Sequence, residues 1–253
     1  LSFVFDRLLD LSNSLCSWEP NVPCVPHLFC RQAIGMAWDF AEGNPIGDAR
    51  GSWQLCLNSV LQVLEENANH WPSGDVMQAD AQKHPLPDDS ADSIITDPPY
   101  YNAVPYAELS DFFYVWLRRI LKKANLELFS MALSPKDEEI AEMASWDSIR
   151  YSHRDANFFE KQMTKALEEA RRIVRPYGLG VIAFAHKSTS GWEALIQALL
   201  NAGWIITASW PIDTELGSRM RAMNSAVLAS TIFLICRPRE NLDGSLRMDE
   251  VGD

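Results

Sequence analysis

Residues 93–106 read SIITDPPYYNAVPY: an apolar, β-branched run stops at an acid, two prolines follow, and three tyrosines fall within seven residues. A residue before proline is held extended, while proline fixes its own φ and has no N–H to donate. Asp97-Pro98-Pro99 is therefore a stiff exit from a strand that offers acceptors and no donors. The Asp97 carboxylate and the Pro98 carbonyl can form a cradle for a group with two hydrogens to give, such as an amino group conjugated to an aromatic ring. Two acceptors hold both hydrogens and leave the nitrogen lone pair available for attack. Tyr100, one step further, can stack on a flat substrate for about 1–3 kcal/mol. The chemistry implied is nucleophilic attack by an amino nitrogen without a covalent enzyme intermediate.

The elements around this stretch alternate. DVMQAD (75–80) reads as a short strand ending at Asp80, and ADSIITD (91–97) as a strand ending at Asp97. Leu109, Phe112, Phe113, Trp116, Leu117 and Ile120 mark one helix face. Residues 123–153 show little periodicity and are expected to be a mobile, lid-like connection. A helix over about 157–174 stops at RPYGLG, and Gly178 and Gly180 are expected to turn the chain out of it. The strand GLGVIAFAHK follows, then a helix closed by Gly203, then WIITASW and AVLASTIFLICR as an antiparallel edge pair. This pattern predicts an α/β fold: an open, largely parallel sheet with helices on both faces. Before residue 74 the chain reads as helical or irregular, with helices over Phe5–Leu15, His27–Ala41 and Trp53–Asn67. The expected organisation is a helical segment over 1–74, a catalytic α/β region over 75–240 and a polar tail over 241–253. Ligands of such sheets bind at the carboxyl ends of strands. That places Asp80, Asp97–Tyr100, His186, Lys187 and Trp210 on one rim.

Composition excludes several classes. With 253 residues, 47% hydrophobic and 22% charged, the chain can bury a core. Its longest apolar runs are strand-sized, too short to span a bilayer. No signal-peptide pattern follows Leu1–Phe5, so a cytoplasmic location is expected. A net charge of -12 argues against a protein that coats nucleic acid, since phosphate contacts need clustered Lys and Arg. It leaves room for a local basic groove at Arg118, Arg119, Lys122 and Lys123, or at Arg171, Arg172 and Arg175; each also reads as a solvated helix face.

TDPPY after a strand resembles the signature of amino-methyltransferases, which move a methyl group from S-adenosylmethionine to exocyclic amines of adenine or cytosine. The resemblance implies that Asp97 and the Pro98 carbonyl bind the amine and that Tyr100 stacks on a flipped base, with Pro99 part of the same catalytic stretch. The longer strings TDPPYYNAVPYAELSDFFYVWLRR, GMAWDFAEGNP, FAHKSTSGWEALIQALLNAGW and SWPIDTE are similar to one prokaryotic group of adenine-specific DNA methylases. Larger members of that group carry a zinc-ribbon insertion, and some lie near restriction or anti-phage genes. The similarity runs from about Phe5 to Arg237. It implies a Rossmann-like methyltransferase sheet, S-adenosylmethionine as cofactor, double-stranded DNA as partner and N6-adenine as target. It makes Asp80, Asp39, Glu42 and Asn44 candidates for cofactor binding, and Tyr101, Asn102, His186, Lys187 and Trp210 candidates for substrate contacts. The plain alternatives are a turn at Asp80, a cap around a buried Trp38, and a structural His186. The tetrapeptide also occurs in methylases of RNA guanine and protein glutamine, so cytosine N4, an RNA base or a protein amide stand as alternative substrates.

The sequence also departs from that family. Its members hold the cofactor on a glycine-rich loop after a first strand, where only glycine lets the backbone approach closely. No glycine before Asp97 forms such a loop, and the first two strands of the sheet are not recognisable. In the family this loop lies upstream of everything seen here. The expectation is a carboxyl-terminal catalytic part whose cofactor loop comes from an amino-terminal segment or another subunit. The rival is a degenerate fold that binds DNA or a partner protein without chemistry. Pro23-Cys24 is similar to the nucleophilic Pro-Cys of cytosine-C5 methylases but lies far from any strand end. Cys16, Cys24, His27 and Cys30 supply four soft ligands within fifteen residues, yet without a Cys-x-x-Cys and stiffened by two prolines. No metal is expected.

Overall fold

The computed structural model describes residues 1–20, 23–29, 37–68, 70–212 and 231–239. The chain divides into two compact units that interleave in sequence: 1–78 with 105–139, and 79–104 with 140–253. The linear boundary expected at residue 74 is thus crossed once more, because the helix after the DPPY turn joins the first unit. The expected tail, 241–253, lies outside the described residues.

The first unit is built on α1 (Ser2–Leu11), α2 (Trp53–Asn67) and α3 (Tyr106–Leu121). Val4 and Leu11 of α1 meet Cys56 of α2 in a small buried seam. Helix α1 ends before the expected Leu15 because Asn13 competes for the backbone: its Nδ2 donates to the Leu9 carbonyl at 2.7 Å and its Oδ1 accepts the Leu15 N–H at 2.9 Å. Ser52 caps α2, its hydroxyl accepting the Leu55 N–H at 3.4 Å. The helix expected over 27–41 is corrected at both described flanks, 27–29 and 37–41, which are irregular; 30–36 lies outside the described residues. Here the Asp10 carboxylate takes the Leu28 N–H at 3.0 Å and the Cys16 carbonyl takes the Ala41 N–H at 2.9 Å, so these groups are used outside a helix.

The connection over 123–153 is not the loose lid its lack of periodicity suggested. In the first unit Asp111 accepts the Ser134 N–H at 2.8 Å and its hydroxyl at 2.7 Å, and it pairs with Lys136. In the second, Ala141, Met143 and Tyr151 bury together. Irregular backbone here is fixed by side-chain bonds, which leave no periodic trace.

The second unit contains β1 (Ala91–Thr96), α4 (Ala156–Ile173), β2 (Val174–Phe184), α5 (Thr189–Asn201), β3 (Trp204–Ile212) and β4 (Thr231–Pro238). The sheet order is β1-β2-β4-β3. β1 runs parallel to β2, with Thr96 beside Ile182. β4 is antiparallel to both β2 and β3. The sheet is therefore mixed rather than largely parallel, because the last strand runs back between β2 and β3. Both helices cover one face, not two. Phe159, Met163, Leu167, Ala170 and Ile173 form the buried stripe of α4, and Leu195, Ala198 and Leu199 that of α5. They pack with Ile182, Phe184, Leu234 and Trp204 in one core. On the opposite face Ile95 is 74% exposed.

Two further expectations change. DVMQAD forms no strand: Val76 is fully exposed, and the Asp80 carboxylate accepts the Gln82 N–H at 2.9 Å in an Asx turn. Gly178 and Gly180 lie inside β2 instead of before it. A Cβ on Gly178 would come 2.8 Å from the Asp92 carbonyl, and one on Gly180 2.9 Å from the buried Trp204 ring. These glycines make room for neighbours. Gly180→Ala is accordingly expected to cost about 1–3 kcal/mol by overpacking, read as a lower urea midpoint with unchanged slope.

Candidate active site

The parallel register brings the ends of β1 and β2 to one rim, with Asp97–Asn102 leaving one strand and 185–188 leaving the other. The turn after β1 is held by its own carbonyls. Pro99 accepts the Tyr101 N–H and Tyr100 the Ala103 N–H, both at 3.0 Å; Tyr101 accepts the Glu142 N–H, also at 3.0 Å. The Asn102 carbonyl accepts the Trp146 indole N–H at 2.9 Å. Each carbonyl from 99 to 102 thus has a donor. Among the described residues, no donor meets the Pro98 carbonyl or the exposed Asp97 carboxylate. Beneath them a cavity of about 280 Å³ is lined by Asp97, Pro98, Ile94, Met163, Leu167 and Ile173, among others. The residues that carry the two open acceptors therefore line an apolar cavity. Tyr100 packs edge-on against Phe184, ring centroids 5.2 Å apart.

Tyr101 and its neighbours have other work. Tyr101 is only 8% exposed and adopts φ +57°. Its ring sits between Phe159 at 5.1 Å and His186 at 5.6 Å. It is a core residue, and burial raises its hydroxyl pKa, with the Glu142 and Asp155 carboxylates adding to the shift. Asn102 is spent on protein partners: its Oδ1 lies 3.0 Å from His186 Nε2 and its Nδ2 donates to Glu142 and Ser145 at 3.1 Å each. His186 is 7% exposed and has protein partners at both ring nitrogens. Burial lowers its pKa, the hydrogen bond to the Ser188 backbone opposes that shift, and the Lys187 charge adds to it. Lys187 itself is exposed on the rim.

Within the second unit, Trp210 and Asp80 are not gathered there. Trp210 is paired within β3, which continues to Ile212, and at roughly 4.8 Å per strand β3 lies about 14 Å across the sheet from β1. Asp80 is held in its Asx turn. Asp39, Glu42 and Asn44 belong to the first unit, on exposed irregular chain instead of a helix end, and Asn44 Oδ1 accepts the Ile46 N–H at 3.0 Å in a turn of its own. Trp38 is exposed, so no cap forms around it. In the same unit the Cys16 thiol donates to the Asp10 carbonyl at 3.4 Å, Cys24 accepts from Arg50 at 3.4 Å, and His27 pairs with Asp10. Cys30 lies outside the described residues; among those described, no three potential ligands cluster around a metal position. Sequence reasoning missed Glu142, Ser145, Trp146 and Ser188. Glu142, Ser145 and Trp146 sit in a stretch without periodicity or motif, while Ser188 lies in the FAHKSTSGW string just after His186; only the folded contacts connect them.

No family model and no curated protein matches the chain. Among solved structures it is similar to the crystal structure of the [4+2]-cyclase SpnF, at 14% identity and a TM-score of 0.33. That match covers 73% of this chain and 63% of the other. What stands on the chain's own geometry is a mixed α/β unit with a four-stranded sheet. No helix among the described residues is long and apolar enough to cross a membrane.

Tyr101 and Asp97 should separate by stability. Asp97→Asn is expected to leave the denaturation midpoint within about 0.5 kcal/mol, as at sites without protein partners. Tyr101→Ala is expected to lose about 3–5 kcal/mol as a buried aromatic. Urea titrations of both variants check this.

Proposed function

We propose that this chain is the amine-holding part of an S-adenosylmethionine-dependent methyltransferase of Rossmann-like fold, acting on the N6 amino group of adenine in DNA with the base flipped out. The observation that carries this reading is the pair of open acceptors, the Asp97 carboxylate and the Pro98 carbonyl, beside an apolar cavity at a strand rim. Prolines supply the pair because they cannot satisfy neighbouring acceptors themselves. Amine hydrogens held by two acceptors leave the nitrogen lone pair out of the plane and ready to attack. Tyr100 stands next to them to stack on the ring. The sheet order supports the fold assignment: Rossmann-like methyltransferase sheets end with a reversed strand inserted before the last parallel one, as β4 is here.

The described residues do not fit the cofactor. None of them before β1 forms a strand followed by a glycine loop, and the Asp80 carboxylate is committed to its turn. When bound, the cofactor supplies the electrophilic methyl group. On this reading it is held by an amino-terminal segment or a second subunit that adds alongside β1, whose outer edge is unpaired among the described residues and whose Ile95 is exposed. A second reading, a DNA-binding subunit without chemistry, is favoured by the same missing loop.

The amine can be tested without cofactor. A duplex with adenine opposite an abasic position is compared with one bearing purine, which lacks the 6-amino group, and one bearing cytosine. Adenine is expected to bind tenfold or more tightly than purine, the equivalent of about 1.5–3 kcal/mol for a hydrogen bond to a charged group. Asp97→Ala should erase that difference. Equal binding of adenine and purine would sink the cradle, and a preference for cytosine would redirect the substrate. Methyl incorporation into DNA, absent under every cofactor condition while adenine discrimination persists, would favour the second reading.

A further inference from the structure

Segment 142–146 and the turn after β1 are tied by hydrogen bonds in both directions: the Glu142 N–H and the Trp146 indole donate to turn carbonyls, and Asn102 donates back to Glu142 and Ser145. Glu142 is 5% exposed. Its Oε2 accepts from Asn102 Nδ2 at 3.1 Å and from the Ser145 hydroxyl at 2.6 Å, while Oε1 accepts the Ser145 N–H at 2.8 Å. A carboxylate only accepts, so Asn102 must turn its NH2 toward Glu142 and its Oδ1 toward His186. Oδ1 lies 3.0 Å from His186 Nε2, so Nε2 must carry the hydrogen. Nδ1 is then a bare acceptor: the Ser188 N–H at 3.2 Å and the Ser188 hydroxyl at 2.9 Å can both donate to it, and the Ser188 carbonyl, which can only accept, stands further off at 3.4 Å. The room is specific too: a Cβ on Gly191 would come 2.4 Å from Nδ1.

We infer that His186, as the neutral Nε2–H tautomer, is a positioning residue that acts through Asn102 and Glu142 to lock segment 142–146 onto the DPPY turn. The lock holds the backbone at Tyr101, whose carbonyl takes the Glu142 N–H, and at Asn102, whose carbonyl takes the Trp146 indole. That backbone in turn fixes where the Pro98 carbonyl and Tyr100 stand. His186 was expected to touch substrate; its ring instead reaches Asn102, Ser188, Tyr101 and Phe184. The charged groups around it are Lys187, next in the chain, and Glu142, reached through Asn102. Only the consequence for catalysis rests on the proposed function; the lock itself does not.

The test is made on the intact chain. Two-bond 15N–1H correlation of the imidazole rings, with His186 identified by its disappearance in His186→Gln, should show an Nε2–H ring. That pattern should persist from about pH 7.5 to about pH 6, across the ordinary histidine pKa of about 6.5. An Nδ1–H ring, or ordinary titration in that window, overturns the inference. Hydrogen exchange supplies the second measurement. His186→Leu should speed exchange of the Glu142 and Ser145 amides by about tenfold, with α4 and β2 amides unchanged. His186→Gln, which can donate to the same Asn102 oxygen, should restore protection. Unchanged exchange in the Leu variant, or failure of Gln to rescue, also overturns it. Should the Leu variant not fold, the wild-type tautomer and the Gln variant decide. Loss of adenine discrimination in the duplex assay with this lock intact would instead count against the proposed function alone.

Discussion

The parallel pairing of β1 with β2 is the constraint on which the candidate site depends. With Thr96 level with Ile182, Asp97 leaves the sheet beside the last residues of β2, and His186 follows two residues past that strand's end. A parallel neighbour requires a long crossover, which α4 provides with its buried stripe against the sheet. Arg172 near the end of α4 donates to Glu169 and to the His84 and Leu86 carbonyls, and pairs with Asp88, so the approach to β1 is tied to the crossover helix. Register, crossover and entry loop then leave the DPPY turn one position to occupy.

Within that turn, the bookkeeping of acceptors separates structure from chemistry. Carbonyls 99 to 102 are each given a donor, and even the buried Glu142 carboxylate is satisfied by Ser145 and Asn102. Buried polar groups left unpaired are costly, so this completeness is what a stable turn requires. Asp97 and Pro98 are open against that background, and both residues line the cavity. Rigid surroundings with an unsatisfied pair of acceptors at their edge suit recognition of a donor from outside the chain.

Much of this was legible in the sequence, and the parts that were not share a cause. Helix α2 and strand β1 fall where periodicity and β-branched residues place them, and the Asp-Pro-Pro exit is dictated by proline itself. Tyr101 and Asn102 read like site residues because they follow the motif, yet one enters the core and the other bridges two segments. Position beside a motif does not reveal which way a side chain turns, and φ +57° at Tyr101 reverses its direction. Asp80 and Gly180 misled for a related reason: an acid before a turn looks like a strand end, and a glycine beside a bulky neighbour looks like a helix stop. The Glu142–Asn102–His186 connection spans residues far apart in sequence and leaves no local pattern at all.

The most direct measurement is a 15N-edited NMR spectrum of a duplex carrying a single 6-15N-adenine opposite an abasic position, free and bound to the chain. The account predicts that both amino protons move downfield on binding as two acceptors take them, and that Asp97→Ala returns one of them toward its free position. Amino protons that stay where they are in the free duplex, with the DNA demonstrably bound, would contradict it.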